Sequence, residues 1–422
     1  MTRVIHTGDT HIGYQQYHSP ERRQDFLDAF EQVIDDAIEM EVAALVHAGD
    51  LFHDRRPELP DLLGTLNALR RLADADIPFL AVVGNHESTR GGQWLDLFER
   101  MELATRLGPE PVLVDSVAVY GLDHVPVSRR EELDYEFVPP SSEATQSVLV
   151  SHGLFTPFAH ANWETETVLE AASVEFDAVL LGDNHEAGIE QVDRTWVTYC
   201  GSTERASASE RTGRGYNVVA FDSETDEPEG VDVRRRSVET RPFRFVSAPL
   251  SDSEGSGQVR KKVAEYDLED AVIIVEITGE GEPVTPASIE EFALDRGALV
   301  ARVTDRREIE TATELSVSFA DPDAAVDEKI RELELSETAL NIDETVRASK
   351  LADSNVREEV SQLVEAGIDT TADTDATADS ASPTDPADEP DSDEHTADHS
   401  GTSTEQAATE PATDGQLSLE DL

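Results

Sequence analysis

The chain has almost no cysteine. Cys200 is the single one among 422 residues, so an intramolecular disulfide and a thiolate-rich zinc site are both excluded. Lysine is nearly as scarce: Lys261, Lys262, Lys329 and Lys350 are the only four, and arginine supplies the remaining positive charge. Long apolar runs are missing as well, and no stretch reaches the ~18 residues that a transmembrane helix requires. The opening MTRVIHTGDTHIG lacks the apolar segment of a secretory signal. No G-x-x-x-x-G-K-[ST] phosphate loop occurs, so any ATP hydrolysis must be borrowed from another chain. The expectation is a cytoplasmic protein with no membrane partner.

Negative charge, by contrast, is abundant. Asp and Glu number 90 against 33 Lys and Arg, for a formal charge of -57. Strong acidity with few lysines resembles the composition of salt-in haloarchaea. A carboxylate-rich surface stays hydrated there, and a Debye length of ~3 Å at ~1 M salt screens its self-repulsion. Part of the excess is concentrated at one end: residues 369–422 carry 16 Asp or Glu and no Lys or Arg. Such a segment cannot bury enough apolar surface to offset its ordering entropy, and it reads as a disordered acidic tail.

Residues 1–235 alternate short apolar runs with helical patterns. The runs TRVIHTGD, AALVHAGD, FLAVVGNH, SVLVSHG and DAVLLGDNH each stop at Gly, Asp, Asn or His. Between them lie helical stripes such as Phe26, Phe30, Val33, Ile34, Ala37 and Ile38. This is α/β alternation, with polar residues just beyond the carboxyl ends of strands, where open α/β sheets place ligands. Residues 241–306 repeat the theme on a smaller scale, with RFVSAPL, AVIIVEITG and ALVARVTDR as strands and QVRKKVAEY and PASIEEFALDRG as helices. They read as a small α+β domain. Residues 324–366 show thin helical stripes suited to docking on a partner or on the chain itself.

Five strand ends carry metal-ligating side chains: Asp9 and His11, Asp50, Asn85 and His86, His152, and Asp183 with His185. A Gly-Asp after a strand is usually only a turn. Five in order are hard to explain by turn chemistry, and ten of the twelve histidines fall within the first 185 residues. Mixed oxygen and nitrogen donors favour manganese, magnesium, iron or zinc over softer metals. Two such ions about 3.5–4 Å apart would clamp a phosphate.

The series D-x-H, G-D, G-N-H, H, G-x-x-H resembles the calcineurin-like metallophosphoesterase superfamily. DTHIGYQQYHSPERRQDFLDAF, GDLFHDRRP, VVGNHE and YCGSTER resemble, more narrowly, the archaeal branch of the Mre-eleven DNA double-strand-break repair nucleases. The resemblance is strong over residues 1–205. It implies a β-sandwich flanked by helices, with the small domain as a DNA-binding cap and two manganese ions per subunit, magnesium being the alternative. One ion would take Asp9, His11, Asp50 and His185, the other Asp50, Asn85, His152 and Asp183. His86 would protonate the leaving oxygen, with His53 assisting at the same phosphate. Tyr17, His18, Arg22, Arg55 and Arg90 are the candidate DNA contacts, with the run Arg234, Arg235 and Arg236 beside them. The family also implies a homodimer through the helices around Leu62 to Leu72 and Trp94 to Phe98. It implies, too, a Rad-fifty-type coiled-coil ATPase docked on residues 324–366.

Three departures from the family pattern stand out. Asp183 replaces a histidine, and its extra carboxylate would bring a two-ion centre to near neutrality, favouring a hard ion such as manganese. Glu87 replaces an aspartate that could orient His86. Cys200 replaces a proline. The expected activity is a manganese-dependent nuclease processing DNA ends, with 3′-5′ double-strand exonuclease and single-strand endonuclease action. The alternatives are a DNA-end-bridging scaffold with weak nuclease, an SbcD-like exonuclease, or another phosphodiesterase.

Overall fold

A computed structural model describes residues 1–89, 91–222 and 230–307. The helices expected over 324–366, the acidic tail and Arg90 lie outside the described residues. The first sheet contains β1 (Thr2–Thr7), β2 (Ala44–His47), β3 (Phe79–Ala81), β4 (Thr105–Arg106), β11 (Gly215–Phe221) and β12 (Val231–Ser237). Their spatial order is β12-β11-β1-β2-β3-β4. The second contains β5 (Val112–Val114), β6 (Val117–Leu122), β7 (Gln146–His152), β8 (Ala178–Gly182), β9 (Gly188–Val192) and β10 (Thr195–Tyr199), in the order β5-β6-β7-β8-β10-β9. Strands β1 to β4 run parallel in the first sheet, as do β6, β7, β8 and β10 in the second.

The two sheets stack face to face. Val4, Val46, Leu80 and Val82 of one sheet meet Val119, Val148, Val150 and Leu180 of the other. Each strand sends alternate residues the opposite way. Ile5, Leu45, Phe79 and Ala81 pack under α1 (Pro20–Glu39), α2 (Leu59–Asp74) and α3 (Trp94–Arg100), meeting Phe30, Val33, Leu69, Leu72 and Phe98. Leu149, Val179 and Leu181 pack outward against Phe155, Trp163 and Phe176, beside α4 (Thr165–Ala171). Both faces of these strands are covered, which is why they read as nearly unbroken apolar runs.

Helix α1 starts where Ser19 Oγ accepts from the Arg22 backbone N–H at 3.2 Å, with Pro20 in the first turn. Both are ordinary helix-start signals. The face that carries Phe26, Phe30, Val33, Ile34 and Ala37 is buried, as its spacing predicts.

A third sheet, β13 (Phe243–Leu250), β14 (Val272–Gly279) and β15 (Val300–Asp305), is wholly parallel. Helices α5 (Ser256–Val263) and α6 (Pro286–Leu294) cover one face through Val259, Val263, Ile289 and Ala293. The other face carries Phe243, Phe245 and Ile274, and Tyr17 packs on it. Arg22 and Arg205 lie over the Phe243 ring at 4.9 and 5.2 Å, and Arg211 lies over Phe245 at 5.1 Å.

Candidate metal centre

The carboxyl ends of β1, β2, β3, β7 and β8 converge on one rim of the sandwich. Asp9 and His11 follow β1, Asp50 follows β2, Asn85 and His86 follow β3, His152 ends β7, and Asp183 and His185 follow β8. The turns that deliver them are sharp. Asp9, His11, Asp50 and Asp183 all adopt positive φ, at 49, 44, 56 and 91°, in a region that side chains other than glycine rarely enter. Glycine supplies the clearance. A Cβ on Gly84 would lie 2.0 Å from Asp50 Oδ1, and one on Gly182 would lie 2.1 Å from the Ala48 carbonyl.

Three groups of possible donors result among the described residues, one of them the imidazoles of His11, His53 and His86. Ligand atoms of Asp9, His11 and His185 lie within 4.8 Å of one another, as do those of Asp9, Asp50 and His152. His11 and His185 face each other through Nε2 at 3.0 Å. Asp50 Oδ2, of the group with Asp9 and His152, lies 3.9 Å from His11 Nε2 of the group with His185 and 3.5 Å from His152 Nε2 of its own. Asn85 Oδ1 is 3.2 Å and Asp183 Oδ1 3.7 Å from the same His152 nitrogen. All seven residues expected to hold metal therefore share one site. The set is oxygen and imidazole nitrogen, which suits hard to borderline divalent ions.

The rings of His152, His185 and His86 are aimed from behind. His152 Nδ1 donates to the Ala48 carbonyl at 2.7 Å, and His185 Nδ1 donates to Glu210 Oε1 at 2.8 Å. Both hydrogen bonds leave Nε2 free to ligate. His86 donates its backbone N–H to Asp50 Oδ1 at 2.9 Å and its ring Nδ1–H to the His53 carbonyl at 2.9 Å. Its ring lies 4.8 Å from that of His11 and 5.0 Å from that of His53. Tyr14 stacks on His53 at 3.9 Å, a partner that no local signal in the sequence announced.

The electrostatics describe a site made for cations. Burial lifts Asp9 to about 6 against the pull of His185 and His152. Burial also disfavours charge on Asp50, yet His152 and His86 hold its carboxyl well below the usual range. His152 is buried, but Asp50, Asp183 and Asp9 keep it well above its ordinary value. For His185 burial is outweighed by the hydrogen bond and charge of Glu210, with Asp9 and Asp183 adding, and its pKa rises to about 9. Burial keeps His11 neutral. Imidazolium protons thus answer carboxylate charge where bound cations would, and cations would displace them.

Several expectations are corrected. Glu87 does not orient His86. Its carboxylate accepts from the backbone N–H groups of Phe52 at 3.2 Å and Gly84 at 3.3 Å, stapling two ligand loops together. Arg22 is not a surface charge: it is fully buried and donates to Gln16, Asp25, Glu204 and the Arg205 carbonyl. Tyr17 is half-buried against the third sheet, with its hydroxyl enclosed. His18 and Arg55 are exposed. Arg234, Arg235 and Arg236 lie along exposed edge strand β12, where Arg234 pairs with Asp232 at 2.7 Å. Glu210 and Arg214, which support His185, were missed because they lie 25 and 29 residues away with no periodic signal.

Among known families, the calcineurin-like phosphoesterase model matches residues 2–187. The fold and the site thus define a metal-dependent phosphoesterase with a dinuclear centre. Relatives narrow the class. A DNA double-strand break repair protein Mre11 of Haloferax volcanii is 68% identical over 87% of this chain and 82% of its own length. Its counterpart of the same name in Halobacterium salinarum is 57% identical over 88% of this chain and 96% of its own. One from Methanosarcina acetivorans is 45% identical over 87% and 61% respectively. The chain belongs to the Mre11 family of DNA double-strand break repair proteins. No helix among the described residues is long and apolar enough to cross a membrane.

Proposed function

We propose that the chain is a manganese-dependent nuclease that hydrolyses DNA phosphodiesters at broken ends, with 3′-5′ exonuclease and single-strand endonuclease action. One observation carries the reading: Asp9, His11 and His185 form one donor cluster and Asp9, Asp50 and His152 another, with His86 and His53 beside them. Asp9, His11, Asp50 and His185 would hold one ion, and Asp50, Asn85, His152 and Asp183 the other. When bound, the ions would polarise the phosphate and lower the pKa of the attacking water. His86, its Nδ1–H fixed on the His53 carbonyl, presents Nε2 to the site and would hand a proton to the leaving 3′-oxygen. His53, held flat by Tyr14, would bind the same phosphate.

Residues 1–235 would form the nuclease domain and 241–306 the cap over the DNA. A Rad-fifty-type ATPase would dock on 324–366 and gate access to ends, and 369–422 would remain an acidic tail. A cytoplasmic homodimer fits the helices flanking the site. Leu69, Leu72, Leu95 and Phe98 are core, but Leu59, Leu63, Leu97 and Met101 are exposed on α2, α3 and the residue after it.

The test is manganese-dependent degradation of linear duplex DNA in molar salt, run beside bis-p-nitrophenyl phosphate. His86→Asn should keep its metal and lose cutting. Activity on the small ester alone would overturn the DNA reading. Normal repair in cells carrying only His86→Asn would favour an end-bridging scaffold.

A further inference from the structure

The three imidazoles expected to ligate are backed differently. His152 leans on a backbone carbonyl within its own sandwich. His11 Nδ1 is buried without a hydrogen-bond partner. Only His185, of these three, rests on a carboxylate, and that carboxylate comes from the segment between β10 and β11. Glu210 Oε1 accepts from His185 Nδ1 at 2.8 Å. Glu210 Oε2 accepts from the Ala206 backbone N–H at 3.0 Å and from Arg214 Nη1 at 3.1 Å. The same Arg214 nitrogen reaches the His185 carbonyl at 2.9 Å and Ser202 Oγ at 3.0 Å. Ring, carboxylate, guanidinium and backbone therefore close a loop that starts and ends on His185. Arg214 is 3% exposed, so water offers little competition for these bonds.

The hold extends outward. Arg205 donates Nε–H to the Glu210 carbonyl at 3.1 Å and Nη1–H to Thr240 Oγ1 at 2.8 Å, and it covers Phe243 of the third sheet. Glu210 is thus fixed at its side chain by Arg214 and at its backbone by Arg205.

We propose that Glu210 is a positioning residue for the metal centre: it fixes the tautomer and ring plane of His185, and Arg214 fixes Glu210. The proposal rests on the two-ion reading given above. Its physical basis is that a carboxylate behind a ligating imidazole pins Nδ1–H, turns the Nε2 lone pair inward and raises ligand basicity. The competing view is that Glu210 only neutralises buried Arg214. The two views differ in what they do to the two ions. His185 serves one of them, so loss of positioning should weaken that ion and spare the one on Asn85 and His152. Loss of neutralisation should weaken the fold and both ions together.

The experiment titrates manganese into the full chain in molar potassium chloride, by calorimetry and by electron paramagnetic resonance of the bound ions. Melting of the metal-free protein is followed in the same samples. For Glu210→Gln, affinity at one of the two sites should fall about 10–100-fold, the range for lost outer partners. The other site should hold; the metal-free melting temperature is judged in Glu210→Asp, because glutamine also leaves buried Arg214 without its counter-charge. Glu210→Asp keeps the charge facing Arg214 but shortens the reach to His185, so it too should lose the one ion, and it decides the matter if the glutamine variant fails to fold. Wild-type affinity at both sites in either variant overturns the proposal. So does joint loss of both ions with a lowered metal-free melting temperature in Glu210→Asp. A wild-type chain that binds no manganese would sink the two-ion reading itself, an outcome distinct from either.

Discussion

Replacing Arg22 with methionine separates two accounts of the same residue. In the sequence it was a candidate DNA contact; in the fold it is enclosed at the junction of α1, the Glu204 segment and the third sheet. Its guanidinium donates to Gln16 Oε1 at 3.0 Å, Asp25 Oδ2 at 2.6 Å, Glu204 Oε1 at 3.3 Å and the Arg205 carbonyl at 2.9 Å. Methionine fills much of the volume and makes none of these bonds. Asp25 keeps a partner, because Arg241 donates to both its oxygens at 2.7 and 2.8 Å. Glu204 does not: it is 1% exposed, and only the Arg205 backbone N–H at 2.6 Å remains. Breaking a buried pair from one side costs about 3–5 kcal/mol, and the retained Arg241 bonds place this case near the lower end. At roughly 2–4 °C per kcal/mol, melting should fall by about 6–12 °C. The deficit should also shrink on acidification. Burial already raises Glu204 while Arg22 opposes it. Without Arg22 its folded pKa rises further, so stability is lost as pH climbs and regained when the carboxyl is protonated. Circular dichroism melts in molar salt at two pH values measure this, with duplex-DNA anisotropy alongside. Unchanged melting with selectively weakened DNA binding would refute the buried role and restore the contact.

Other substitutions probe the rim and the outer helices. Gly84→Ala places a Cβ 2.0 Å from Asp50 Oδ1 and 2.3 Å from Asp50 N; Asp50 must move, and calorimetry should find both manganese sites weakened, since wild-type affinity would mean that Asp50 is not shared. Burial, with the charge of Asp50, lifts Glu87 from 4.5 to about 7. A raised folded pKa means stability lost as pH rises, so the chelated protein should lose about 3 kcal/mol between pH 4.5 and 7 through this group. Urea titrations of wild type and Glu87→Gln at the two ends check it, and equal slopes would count against it. Leu63→Glu with Leu97→Glu alters side chains that are 49% and 42% exposed; light scattering should report monomers with unchanged melting, whereas a persistent dimer would assign the interface elsewhere.

The rim of the sandwich was legible because its chemistry is local: each ligand follows its strand within a few residues, and all the ligand-bearing strands are apolar runs. The division into two sheets was not. Val4 and Val148 face each other across the core while Ile5 and Leu149 point away, yet a strand buried on both faces has the same composition in either sheet. The pattern of β13 showed a strand but not that β14 lies parallel to it. Arg22 and Glu210 were misread or missed for one shared reason. Their partners, Glu204 and His185, lie 182 and 25 residues away, and periodicity carries no information over such distances. Around Leu62 to Leu72 the apolar spacing does not separate core from surface, although Leu69 and Leu72 are core and Leu63 is exposed.

The left-handed turns at Asp9, His11, Asp50 and Asp183 have a cost that the rest of the sandwich must absorb. A residue other than glycine in that conformation is disfavoured by up to roughly 1–2 kcal/mol, Asp being among the better tolerated, so the four together store at most a few kcal/mol of a domain's net stability. Ten other non-glycine residues among those described share the conformation, but these four gather at the rim around one cluster of carboxylates. Released from its cations, the rim should be the first region to exchange its amide hydrogens, while the strands immediately behind it stay closed.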